Sequence, residues 1–140
     1  MECILQKKLT TFSSSTNGID VSVVPEYLVE HSDSATHQFV WAYHVAIKNS
    51  SNHSIQILSR HWKITDSNGL KQEIVGEGLV GRKPILRPGE AFDYSSGTPL
   101  KTPSGFMSGQ FHAISEACGR FKIEVPAFAL DGPLTFEKIH

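Results

Sequence analysis

An all-β antiparallel sandwich is the fold this sequence predicts, and three observations predict it. Large apolar side chains alternate with polar ones in several separate runs, the two-residue period of a strand that buries one face. Glycine, proline and asparagine punctuate those runs at short intervals. No stretch sustains helical periodicity over the length of an ordinary helix, because Pro and Gly interrupt every candidate.

In chain order, residues 1–18 (MECILQKKLTTFSSSTNG) are polar and rich in Ser and Thr, and read as a loose N-terminal arm. Residues 19–140 read as one domain. In HQFVWAYHVAIKN, Phe39, Trp41, Tyr43, Val45 and Ile47 alternate strictly and share one sheet face. In IQILSRHWKITD, Leu58, Trp62 and Ile64 are expected to share a face that Arg60 interrupts. Ser67-Asn68-Gly69-Leu70 supplies a tight turn, since Asn-Gly tolerates positive φ, and KQEIV returns as the next strand. AFDYSS groups Phe92 with Tyr94. MSGQFHAI groups Met107, Phe111 and Ala113, and RFKIEV groups Phe121, Ile123 and Val125, with Ala117-Cys118-Gly119 as the connection between those two. About seven short strands with both tryptophans between two sheets correspond to an immunoglobulin-like or fibronectin type III-like β-sandwich.

The charge balance narrows the partners. Thirteen Lys and Arg against fourteen Asp and Glu give a formal charge of −1, which supplies no global field for a nucleic acid or an anionic membrane. The first residues contain no signal-like apolar run, and no segment is apolar enough for membrane insertion. Cys3 and Cys118 lack CxxC spacing, which argues against a thiolate zinc site and points to a reducing, cytoplasmic setting.

Gly76, Gly78 and Gly81 stand in G-x-G-x-x-G spacing. A dinucleotide site needs a helix after that motif, and Pro84 and Pro88 forbid one. Two readings remain. The glycines form a bend that needs positive φ, or their backbone N–H groups join Arg82, Lys83 and Arg87 in an anion site for a phosphate-containing ligand.

No catalytic residues are assigned: the chain has no GxSxG element, and His61 beside Trp62 reads as a packing group. No metal site or cofactor is expected, because His31, His37, His44, His53, His61, His112 and His140 are scattered. Residues 95–109 (SSGTPLKTPSGFMSG) read as a long polar loop presenting Leu100, Phe106 and Met107, either a plain crossover or a surface for a protein partner.

The run from Arg60 to Asp66 with Gly69, then GEGLVG-x-x-P, then LRPGEAFDYSSGTPLKTPSGFMSG, together with HQFVWAYHVAIKN, resembles the ApaG family over about residues 19–130. The resemblance implies a fibronectin type III-like sandwich and a link to cobalt and magnesium efflux or resistance. It also implies a role as an interaction module, as in F-box proteins and a polymerase-delta-interacting protein, with no catalytic residues. The glycine motif of the family is proposed to bind pyrophosphate, and Gly76, Gly78 and Gly81 match it. This chain departs in carrying Arg82 and Lys83 where members often have a polar or acidic pair, and Thr98 where many have Cys.

Overall fold

The strict alternation of Phe39, Trp41, Tyr43, Val45 and Ile47 is realised as β3 (Phe39–Asn49), with all five side chains buried in a computed structural model that describes residues 9–131. Residues 1–8, which include Cys3, and 132–140, which include His140, lie outside the described residues. Before β3 come β1 (Phe12–Thr16) and β2 (Ile19–Tyr27), then single 3-10 turns at Val29–His31 and Ser34–Thr36. After it come β4 (Ile55–Asp66), β5 (Lys71–Glu77), β6 (Ile85–Leu86), β7 (Ala91–Leu100), β8 (Ser104–Ser115) and β9 (Gly119–Asp131).

One sheet has the order β1-β2-β3-β7 and the other β5-β4-β8-β9, with β6 also paired to β4 and every pairing antiparallel. The two sheets enclose one core, with 22 buried hydrophobic residues among those described, in an immunoglobulin-like, fibronectin type III-like sandwich. Trp41 and Trp62 are both within it.

The N-terminal arm needs correction. Residues 12–16 form β1, paired to β2 through a two-residue connection, Asn17-Gly18, with φ of 52° and 82°. Positive φ at both central residues marks the hairpin turn whose twist matches its strands, and Asn-Gly is its strongest sequence signal. The serine-rich composition masked that signal.

A second correction concerns which face is buried. Ile57 pairs with Ala113 and Ser59 with His112, so Leu58 is an extra residue in β4. This bulge reverses the inward parity. Ile55 and Ile57 point inward before it, and Trp62 and Ile64 after it, while Leu58 leaves the buried face where the sequence places it. A second bulge in β9 does the same: Met107 pairs with Phe128 but Gly109 with Val125, so Ile123 and Val125 give way to Phe128 and Leu130.

Trp62 sits at the centre of the core. Its ring centroid lies 5.2 Å from Tyr43, 6.0 Å from Phe111 and 6.0 Å from Phe128, the last two edge to face. Gly109 makes this possible, since a Cβ there would stand 2.5 Å from the His61 carbonyl oxygen and 2.8 Å from the Trp62 ring. Those atoms are backbone and a locked indole, so neither can yield cheaply. Gly109→Ala is therefore expected to destabilise the fold by about 1–3 kcal/mol, read as a lowered urea midpoint with little change in slope.

Candidate functional site

The glycine motif folds into a reverse turn. Gly76 lies in β5 opposite Arg60, and a Cβ there would meet the Arg60 guanidinium at 2.7 Å. That guanidinium crosses the glycine and donates from one nitrogen, Nη1, to the carbonyl oxygens of Glu77 and Gly78, at 3.0 Å each. Beyond it, Leu79 and Arg82 exchange backbone hydrogen bonds of 2.6 and 3.1 Å around Val80-Gly81, whose φ values are 52° and 85°. Gly81 supplies that geometry at no cost, whereas Val80 is β-branched and strained there.

The N–H groups of Gly78, Leu79 and Arg82 are thereby committed, Gly78 donating to the Leu58 carbonyl at 2.7 Å. The cations are partly engaged as well. Arg82 stacks over the Phe92 ring at 5.9 Å, and Lys83 lies 2.9 Å from Glu77, holding that carboxyl below its usual range by hydrogen bond and charge. The Arg87 backbone N–H donates to the Glu90 carboxylate at 2.8 Å. The open cleft beside the turn is lined by Arg82, Lys83 and Phe92 but also by the acidic Glu90.

The segment 95–109 differs from the expected loop. It is the end of β7, a short turn at 101–103 and the start of β8. Leu100 and Met107 are 5% and 0% exposed and belong to the core, so they are not available to a partner. Phe106 alone of the three is on the surface, at 52% exposure. Alternation explains the split, because neighbours in a strand point to opposite faces.

Strand register also brings together a polar row that sequence reasoning missed. His44 on β3 lies opposite Ser95 on β7, and Glu26 on β2 is a diagonal neighbour. His44 Nδ1 is 2.6 Å from Ser95 Oγ and its Nε2 is 2.9 Å from Glu26 Oε1. The connectivity is that of a hydrolytic triad, but the row lies on the open face of a sheet, where the His44 and Glu26 side chains are 42% and 34% exposed. A residue separation of 51 between His44 and Ser95 left no local motif to find. His61, the histidine singled out in the sequence, is 2.8 Å from Glu73 across the β4–β5 pair.

Tyr94 is the strongly perturbed acid. Burial pushes its phenol well up, Tyr43 adds to the effect, and Arg60 and Trp62 oppose it. Its hydroxyl and the Trp62 indole N–H neighbour one another without reaching hydrogen-bond geometry. Among the described residues no three His, Cys, Asp or Glu side chains gather as a metal-holding group, and no helix is long and apolar enough to cross a membrane.

The most distinctive surface is an edge. At one side of the sandwich β1 and β9 are stitched together: Ser14 Oγ donates to the Glu124 carbonyl at 2.9 Å and Glu124 N–H donates to Thr16 Oγ1 at 3.2 Å. The other side leaves β7 and β5 as edges. β7 carries Asp93, Gly97 and Pro99, residues that discourage strand addition. β5 carries no proline, and Leu70, Ile74, Val75, Val80 and Ile85 stand exposed along it and the β6 segment that continues it. Edges of this kind invite another strand. Relief of the Val80 strain gives a direct check on the turn: Val80→Gly or Val80→Asn is expected to raise stability by about 0.5–1 kcal/mol, measured by urea denaturation.

Comparison with known proteins agrees with this architecture. The model of the ApaG domain family matches residues 29–115. Protein ApaG of Rhodospirillum centenum is 49% identical over 122 residues, covering 87% of this chain and 94% of its own length. Protein ApaG of Rhodopseudomonas palustris is 47% identical over the same coverage. A crystal structure of an ApaA protein from Bordetella pertussis superposes with a TM-score of 0.79 at 44% identity, covering 86% of this chain and 95% of that one. With the domain matched over most of the folded residues and its strands superposed, the chain belongs to the ApaG family.

Proposed function

We propose that this ApaG-family protein is a non-enzymatic binding module of the cytoplasm that acts in cobalt and magnesium homeostasis through a protein it contacts at the β5–β6 edge. The observation that carries this reading is the open edge formed by β5 and β6, where Leu70, Ile74, Val75, Val80 and Ile85 stand exposed and no further described strand is paired. Exposed apolar patches of this kind mark interaction surfaces. Val80 strengthens the reading, because a strained β-branched residue holding an apolar side chain outward at a turn tip costs stability and calls for a compensating use. Family resemblance supplies the metal context. An indirect role suits a chain whose described residues include no gathered ligand set.

Pyrophosphate binding at the glycine turn is the weaker reading. Three of its N–H groups are already spent within the turn and strand, and Lys83 is paired with Glu77.

Cells lacking this protein provide the test. Wild type, His44→Ala and Ser95→Ala are expected to restore cobalt tolerance equally, whereas Val75→Lys with Ile85→Lys is not, although it folds. A fluorophosphonate probe is expected to leave Ser95 unlabelled. Loss of tolerance with His44→Ala, or labelling of Ser95, would favour an enzyme instead.

A further inference from the structure

We propose that the β5 edge pairs with the β5 edge of a second copy of this chain, antiparallel about a two-fold axis at Ile74. The proposal rests on reading this edge as a docking surface, and it names the occupant. Backbone geometry decides which groups face outward. Gly78 N–H donates to the Leu58 carbonyl and Asp66 N–H to the Leu70 carbonyl, so even-numbered residues of β5 direct their backbone groups toward β4. In an antiparallel ladder that role alternates. Lys71, Glu73, Val75 and Glu77 therefore present N–H and C=O to solvent, with the Glu77 carbonyl already accepting one bond from Arg60.

A second β5 strand can satisfy these groups only if outward-facing residues lie opposite one another. Three central registers do so. Centring on Glu73 sets Glu73 against its own copy, and centring on Val75 sets Glu73 against Glu77 twice. Both place like charges directly opposite, which is unfavourable. Centring on Ile74 sets Lys71 opposite Glu77 at both ends and Glu73 opposite Val75, with Ile74 against Ile74 on the axis. That register keeps all seven residues of β5 paired and sets Lys71 at each end beside a Glu77 carboxylate that Lys83 of its own chain also contacts. It is an isologous contact, closed after two chains. It also covers the exposed Ile74 and Val75 and brings Leu70 opposite Gly78, where no side chain intervenes.

Purified protein alone tests the proposal. Analytical ultracentrifugation is expected to show a monomer–dimer equilibrium with a dissociation constant on the order of 10 µM, as suits a small interface. Lys71→Glu is expected to weaken it by about tenfold, since two symmetric pairs become repulsive. Lys71→Glu combined with Glu77→Lys is expected to recover it. Register is read by cross-linking in a Cys3→Ser, Cys118→Ser background. Ile74→Cys should oxidise to a covalent dimer, because non-hydrogen-bonded partners approach to about 4.5 Å between Cα atoms. Lys71→Cys should not, since its two copies would be roughly 20 Å apart. A protein that stays monomeric at about 1 mM, far above any specific weak contact, overturns self-pairing. So does a double charge exchange that fails to recover association, or Lys71→Cys cross-linking as readily as Ile74→Cys. None of these outcomes touches the cellular result with the Val75→Lys, Ile85→Lys variant, so the docking reading stands or falls separately.

Discussion

The packing of Trp62 is the constraint on which the rest of the structure depends. Its indole touches β3 through Tyr43, β8 through Phe111 and β9 through Phe128, so one side chain fixes the spacing of both sheets. Burial of a group this large contributes several kcal/mol only when its neighbours close around it without voids. Gly109 provides the space, and the bulge at Leu58 provides the direction, because without the extra residue Trp62 would face solvent. The same bulge turns Arg60 inward, where its guanidinium spans Gly76 and holds the carbonyls that end β5. Core packing and the shape of the β5 edge thus have one origin.

Each end of the sandwich is closed by a different device. Asn49 is fully buried, yet its amide donates to the His53 and Leu86 carbonyls at 2.8 Å each, and its oxygen accepts from Ser51. A buried amide satisfied on both atoms ties the β3–β4 connection to β6 and sets where the β6 segment lies. At the opposite end Asp66 accepts from the N–H groups of Asn68 and Leu70 and shapes the turn into β5. These two knots position β6 and β5 in line along one side of β4. On the other side, Ser14 and Thr16 tie β1 to β9 at Glu124.

This arrangement recasts the glycine motif. Its spacing resembles a phosphate loop, but here each glycine answers a separate geometric demand. Gly76 clears the Arg60 guanidinium, Gly78 allows positive φ where a Cβ would strike the Arg82 carbonyl, and Gly81 completes the turn. The motif directs β5 to stop and the apolar tip at Val80 to project. Its contribution is therefore architectural: it ends β5 and shapes the exposed edge.

Local physics was legible in the sequence, and long-range pairing was not. Alternation along β3, the Asn68-Gly69 turn, the β8–β9 connection at Ala117-Cys118-Gly119 and the burial of both tryptophans follow from side-chain period and turn chemistry, which neighbouring residues determine. Asn17-Gly18 carried the signal for β1 in the same way, hidden by serine-rich surroundings. The two bulges reverse parity through one extra residue that has meaning only against a partner strand, so the faces of Leu58 and Phe128 were decided by tertiary pairing. Leu100 and Met107 lie in the core by the plain alternation of β7 and β8. The row of Glu26, His44 and Ser95 and the bare β5 edge exist only because three strands, or the lack of a further one, stand beside each other. A sequence states how its own strand alternates; only the folded sheet decides what lies across from it, because register is a relation between distant segments.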